Sequence, residues 1–462
     1  MIKKRLSMGL LATAFALTAC GGAADTPTSV PAASTPGAQP TSAAGAPTTA
    51  PAGGGKATEI SFYYPVAVGG PITKIIQGYA DKFNTANPDI HVTPVFAGGY
   101  SDVLTKIQTT VQGGGAPPEI AVLLSTDMQT LIDADLITPF DDLINATPTG
   151  KDMLADFYPA FMANSQQDGK TYGLPFQRST PVLYYNKDLF KAAGLDPEKG
   201  PQTWDDLVAY GQKLTKKDSA GNATTWGVEI PSDGFPYWLF QSFAIENGHN
   251  VVGDDPSKVS FNDPSTAEAL QFFGDLSQKH GIEPKGVVVW NTTPDDFLAG
   301  KAAMIYHTTG SLSKILSSAK FQVGVSFMPK KQQFGAPTGG GNFYLFKKTD
   351  PAKQQAAWKF IQFLTSPEQT AQWSIDTGYI AGRKSAYDVQ AMKDYVAKYP
   401  QALVARDQLQ YAAKELTGHS SAQLQKILGN AVQSVVTGKA QPQPALDDAQ
   451  SQADKLLSQF KK

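Results

Sequence analysis

The sequence predicts an α/β fold in which a parallel sheet carries helices on its faces. Between residues 59 and 124, short β-like runs alternate with segments whose apolar residues recur at helical spacing. The chain has 462 residues, 41% of them hydrophobic, enough for two domains with real cores. Ligands in such sheets sit at the carboxyl ends of the strands, where the loops begin.

The elements follow in order. Glu59-Ile60-Ser61-Phe62-Tyr63-Tyr64 is the first strand. Ile72, Ile75, Ile76, Tyr79 and Phe83 then fall at i, i+3, i+4, i+7 and i+11 and share one helical face. Asn87-Pro88 ends that helix, and Ile90 to Val95 is the next strand. A second helix spans Tyr100 to Gln112, Gly113-Gly114-Gly115 breaks it, and Glu119 to Leu124 is the third strand. Strand–helix–strand–helix–strand in this order implies parallel pairing. Further along, Pro181 to Asn186 is a strand, and Thr203 caps a helix carrying Trp204, Leu207, Tyr210 and Leu214. Ala302 to Tyr306 is a buried strand. Ala356 to Thr365 and Ala445 to Phe460 are amphipathic helices.

Ahead of these elements the chain opens with Lys3, Lys4 and Arg5, then an apolar run from Met8 to Ala16, then Leu17-Thr18-Ala19-Cys20. A basic start, a short hydrophobic stretch and small residues at a cut are the layout of an export signal. A cysteine directly after the cut resembles a bacterial lipobox, so Cys20 is the expected lipidation site and residues 1–19 the signal peptide. The apolar run is short for a bilayer span. Residues 20–56, from the acylated cysteine onward, are Gly, Ala, Pro, Ser and Thr with almost no large apolar side chain. They are expected to form a disordered tether; a glycosylated stalk has the same composition. The expected location is the outer face of the cytoplasmic membrane, as periplasmic or cell-surface protein.

Composition excludes several functions. The net charge is −2, and loss of Lys3, Lys4 and Arg5 takes it to −5, which does not call for nucleic acid. Cys20 is the only cysteine, so no disulfide is expected. The five histidines, His91, His249, His280, His307 and His419, lie far apart and show no metal-ligand spacing; no metal or other cofactor is expected. There is no G-x-S-x-G elbow. Gly53-Gly54-Gly55-Lys56-Ala57 lacks the hydroxyl of a phosphate loop and lies in the tether. The chain is therefore read as a non-enzyme, although paired carboxylates are hard to see in a sequence. Arginine is scarce: beyond Arg5 there are only Arg178, Arg383 and Arg406. A planar fork for carboxylate or phosphate is available at few places.

One run is Pro175-Phe176-Gln177-Arg178-Ser179-Thr180-Pro181-Val182-Leu183-Tyr184-Tyr185-Asn186-Lys187-Asp188. With Phe83-Asn84-Thr85-Ala86-Asn87-Pro88, Ala192-Ala193-Gly194-Leu195-Asp196-Pro197, Thr203-Trp204-Asp205-Asp206-Leu207 and Thr377-Gly378-Tyr379, it resembles family-1 extracellular solute-binding proteins of ABC importers. Within that family the likeness is strongest to the sn-glycerol-3-phosphate-binding branch, from about Ile60 to the C-terminus. The resemblance implies a two-lobed, periplasmic-binding-protein-like (type II) fold with a ligand cleft between the lobes. It puts crossovers near 177–180, 305–309 and 365–369. Lobe one is then 59–178 with 305–366, and lobe two 181–304 with 367–462.

The resemblance also implies ligand contacts at Tyr100, Ser179, Trp204, Thr308, Gly341 and Tyr379. Two contacts depart from the family pattern. The family carboxylate falls on Ser125, with Asp127 nearby as a substitute, and the phosphate-binding arginine falls on Gln425, beside Lys426. Arg178, one residue before Ser179, has two readings: a replacement for that arginine, or a hinge salt bridge. Arg383 reads as structural. Tyr63, Tyr64, Tyr100, Trp204, Tyr237, Trp238 and Tyr379 are rings for stacking on a sugar or a choline head, or else for core packing. Gly339-Gly340-Gly341 is either a close-approach anion nest or a plain turn.

The function implied is the lipid-anchored binding component of an ABC importer. It is expected to act as a monomer and to hand glycerol-3-phosphate or a glycerophosphodiester to permease subunits; an oligosaccharide is the alternative ligand. A hydrolase and a sensor subunit for a membrane kinase are the rival classes.

Overall fold

A computed structural model describes residues 56–461 apart from Lys348. Residues 1–55, on which the expected signal peptide, Cys20 and most of the expected tether fall, lie outside the described residues.

Strand, helix, strand, helix, strand occur as Thr58–Tyr64, Ile72–Ala86, Ile90–Phe96, Tyr100–Gln112 and Ile120–Leu124. The three strands pair in parallel, with Thr58–Tyr64 in the middle. The sheet extends through Gly339–Phe346 and Ile137–Thr138, and Leu174–Ser179 also pairs with Gly339–Phe346. Gly339–Phe346 runs antiparallel to its neighbours, so the first sheet is mixed. Phe62, Phe83, Phe343, Phe360 and Trp373 fill the core beneath it.

A second, antiparallel sheet has the order Met304–Thr308, Pro181–Asn186, Val323–Ser326. Its lobe buries the largest core, around Trp204, Phe240, Phe243, Phe273, Leu424 and Leu428. The helix Trp204–Leu214 starts where Thr203 predicts: Thr203 Oγ1 accepts from Asp206 N at 3.1 Å, and the Asp206 carboxylate accepts from Thr203 N at 3.0 Å. Such a reciprocal cap is worth about 1 kcal/mol.

The packing divides the chain differently from the boundaries expected above. Met304–Thr308 pairs with Pro181–Asn186 along its whole length, so residues 305–309 stay in the second lobe. Helix Pro367–Thr377 stays in the first, because Trp373 stacks on Phe176 at 4.8 Å and on Tyr379 at 5.8 Å. The first lobe is thus built from 58–179 and 339–379, the second from 181–336 and 380–457. The crossovers are Thr180, the segment before Gly339, and the step from Tyr379 to Ile380. Only the first sits where the sequence puts it; pairing and core burial, both long-range, fix the others.

Candidate functional site

A cavity lies where the lobes meet. Its first-lobe wall is made by Ala67, Val68, Tyr100, Leu124, Ser179, Gly340 and Tyr379. Its second-lobe wall is made by Phe235, Trp238, Trp290, Thr308 and Glu415. The free volume is about 30 Å³, room for a water or two.

Tyr100 opens its helix immediately after the Gly98-Gly99 turn, and its hydroxyl donates to Gln177 Oε1 at 3.1 Å. Ser179 ends a strand of the first sheet, and Thr308 ends a strand of the second. Both hydroxyls thus sit at strand ends, as expected for a ligand site. The second-lobe wall comes from loops and a helix. Phe235 precedes helix Pro236–Glu246, which carries Trp238, and Trp290 follows Val287-Val288-Val289, in which Val287 and Val289 are exposed and Val288 is buried. The rings of Phe235 and Trp290 meet edge-on at 5.0 Å, and those of Trp238 and Trp290 at 6.1 Å. The Trp238 indole N–H donates to Thr338 O at 2.9 Å, and that of Trp290 reaches Ala67 O at 3.4 Å. His307 supports Trp290 from behind, with ring centroids 4.1 Å apart, and burial pushes its imidazole down to about 4.

The three crossovers converge on Arg178. Its guanidinium donates to Asn342 Oδ1 at 2.9 Å and Thr338 Oγ1 at 3.1 Å, and its carbonyl accepts from Ile380 N at 2.8 Å. Thr180 Oγ1 donates to Pro337 O at 3.0 Å in the same knot. Arg178 is fully buried, lies over Phe161 and has no carboxylate within ion-pair distance among the described residues. Burial pulls its guanidinium down to about 10, against the pull of Glu415, the largest opposing influence. Arg178 lies at the crossovers but forms no salt bridge among the described residues; its partners are neutral amide and hydroxyl groups. Arg178 is not part of the cavity wall.

The model of the bacterial extracellular solute-binding protein family matches residues 78–402. This chain belongs to that family. The sn-glycerol-3-phosphate-binding periplasmic protein UgpB of Escherichia coli (strain K12) is 32% identical over 419 residues, 88% of this chain and 94% of the relative. Among solved structures, UgpB from Mycobacterium tuberculosis in complex with glycerophosphocholine is 26% identical with a TM-score of 0.76, covering 87% of this chain and 99% of that one. The Listeria monocytogenes substrate-binding protein in complex with cycloalternan shares the fold at 23% identity and TM-score 0.74, covering 87% and 100%.

In this solute-binding protein the residues singled out from the sequence separate into three groups. Tyr100, Ser179, Thr308 and Tyr379 meet at the cavity. Gly341 sits just behind it: a Cβ there would lie 2.9 Å from Tyr100 Cε1, so the glycine makes room for that ring. Gly340 is the cavity residue. Its φ of +86° and the Gln177 carbonyl, 1.8 Å from a Cβ, admit only glycine. The run Gly339–Gly341 is therefore the start of a strand, neither a nest nor a turn.

Trp204 and Gln425 lie elsewhere. Trp204 stacks on Phe272 at 4.3 Å inside the second core and donates to Glu246 Oε2 at 2.7 Å, because the helix it opens turns that face inward. Gln425 is not in the cavity wall but borders an adjoining groove that shares Leu124 and Phe235 with it, and its amide donates to Leu416 O. Ser125 is buried and reaches the cavity only through Glu415, at 3.5 Å. Asp127, the proposed substitute acid, accepts from Leu124 N at 3.2 Å and does not line the cavity. Arg383 pairs with Asp156 at 2.7 Å, as a structural arginine would. Burial pushes the Asp156 carboxyl up, but hydrogen bonds from Ser385 and Arg383 outweigh it and hold it below its ordinary range.

Phe235, Trp290 and Glu415 escaped sequence reasoning. Trp290 carried a signal, three valines running into a tryptophan with no helical or strand boundary. Glu415 carried none; it is one acid in an irregular segment.

Proposed function

We propose that the chain is the substrate-binding component of an ABC importer, anchored by lipid on Cys20, that binds glycerol-3-phosphate or a glycerophosphodiester without turning it over. The observation that carries this reading is the inter-lobe cavity. It brings Tyr100, Ser179, Thr308 and Tyr379 from four distant segments to one point. The ligands of the two UgpB relatives, sn-glycerol-3-phosphate and glycerophosphocholine, agree with it.

The mechanism is closure about the Arg178 knot. A ligand that touches the hydroxyl wall and the aromatic wall together does so only when the lobes are shut, so it shifts the population toward the shut form. The permease then reads that form. An oligosaccharide is the second reading, favoured by one observation: no lysine or arginine lines the cavity among the described residues, and aromatic rings suit sugar faces.

Calorimetric titration with glycerol-3-phosphate, glycerophosphocholine and maltose tests the reading. One-to-one binding of a phosphate ligand, with no product formed, is expected. Binding of maltose alone retires it in favour of the sugar. For the anchor, Cys20→Ala is expected to move the protein from the membrane to the soluble fraction.

A further inference from the structure

We propose that Glu415 is the ligand-binding carboxylate of this cavity and that, with Phe235, Trp238 and Trp290, it forms a subsite for an ammonium group. The protein would thereby select zwitterionic phosphodiesters over phosphate monoesters. This rests on the reading above and narrows it.

Three observations lead there. First, the acid is built in. Glu415 is 2% exposed, and its carboxylate accepts from Tyr237 Oη at 3.1 Å and from Ser125 Oγ at 3.5 Å. Its backbone is clamped at both ends by Asn164, which accepts from Glu415 N at 3.0 Å and donates to Glu415 O at 3.2 Å. A carboxylate reaching Ser125 from a segment 290 residues away occupies the neighbourhood where Ser125 itself offers only a hydroxyl.

Second, the charge balance at the cavity wall is one acid and no base among the described residues. Arg178 is consumed by Asn342 and Thr338. A doubly charged phosphate monoester finds no counter-charge there, and it opposes ionisation of Glu415 in a poorly solvated space. A ligand whose positive head faces Glu415 meets attraction.

Third, the rings suit a cation. Both indole N–H groups are directed to backbone carbonyls, so what Trp238 and Trp290 present to the cavity is π surface. Ammonium heads are drawn to such surfaces, more strongly where water is excluded. The anionic phosphate of a diester is then left to the Ser179, Thr308 and Tyr379 hydroxyls.

The protonation state of Glu415 supplies an independent readout. Burial pushes its carboxyl up to about 8; Arg178, Tyr237 and Ser125 pull it down and Asp127 pushes it further up, while Tyr100 and Tyr344 are the other titratable groups close by. At pH 7 the empty site holds the proton, and a cation displaces it.

The test is calorimetry at pH 7 in two buffers of different ionisation enthalpy, with choline, glycerophosphocholine, glycerol-3-phosphate and maltose as probes. Glycerophosphocholine is expected to bind at least tenfold more tightly than glycerol-3-phosphate, with release of up to about one proton. Choline alone binds weakly, and Glu415→Gln abolishes the proton release and most of the preference. Should Glu415→Gln not fold, the wild-type proton count decides: release with choline and glycerophosphocholine but none with maltose supports the subsite. Equal affinity for diester and monoester, or a preference that survives Glu415→Gln, overturns it. Phosphate ligands binding without that preference would sink the subsite and leave the importer reading intact. Choline binding with no phosphate ligand bound would do the reverse.

Discussion

The two walls of the cavity are built differently. In the first-lobe wall Tyr100 follows Gly98-Gly99 at a helix start, Ser179 ends a strand and Gly340 sits against the Gln177 carbonyl, with Ala67, Val68 and Tyr379 in loops beside them. In the second-lobe wall Phe235, Trp290 and Glu415 lie outside regular elements, beside Trp238 on a helix and Thr308 at a strand end. A hydroxyl at a strand end is held by the sheet, whereas a ring on a loop is held by whatever packs behind it. On the proposed reading, the first wall positions a ligand and the second chooses it.

The sharpest way to break this comparison is to exchange the tryptophans. Trp204 is core and Trp290 is wall. Trp204→Ala is expected to cost about 3–5 kcal/mol of stability in urea melts, with affinity in the folded fraction within about threefold of wild type. A large affinity loss there would return Trp204 to the site.

Next is the support behind Trp290. His307 is 2% exposed and its folded value lies near 4, below the ordinary 6.5. A depressed value means the folded state resists protonation, so stability is full above about pH 6.5 and falls as the pH drops toward 4. The loss should approach on the order of 3 kcal/mol. The difference between wild-type and His307→Asn urea melts at pH 7.5 and 4.5 isolates it from the buried carboxyls, Glu283 among them, that titrate in the other direction. A pH-independent difference would contradict the assignment.

Trp290→Ala removes the ring itself and should weaken ligand binding by about 2–3 kcal/mol, as a buried aromatic anchor does. Ser179→Ala, on the other wall, removes one neutral hydrogen bond and should cost about 1 kcal/mol of affinity. Titration calorimetry on the pair checks both. An equal effect would erase the distinction between walls.

The same contrast explains what was legible in the sequence. The five elements from Thr58 to Leu124 follow from local periodicity and match to within a residue or two, the first helix stopping at Ala86, just before Asn87-Pro88. Tyr100, Ser179, Thr308 and Tyr379 were found because the family resemblance carries a ligand contact onto each of those positions. Trp204 was misplaced because a capped helix start identifies the cap and not which way the first turn faces. Arg178 was half read: its position at the crossover was plain, but the partners Thr338 and Asn342 lie about 160 residues away. Glu415 was invisible because its role comes from Ser125, Tyr237 and Asn164 meeting it in space.

The central claim is that one ligand touches both walls only when the lobes close. Small-angle scattering with and without saturating glycerophosphocholine tests it directly. The radius of gyration should fall on binding in wild type and stay unchanged in Trp290→Ala under the same conditions. One-to-one binding to wild type with no change in dimensions would contradict the account.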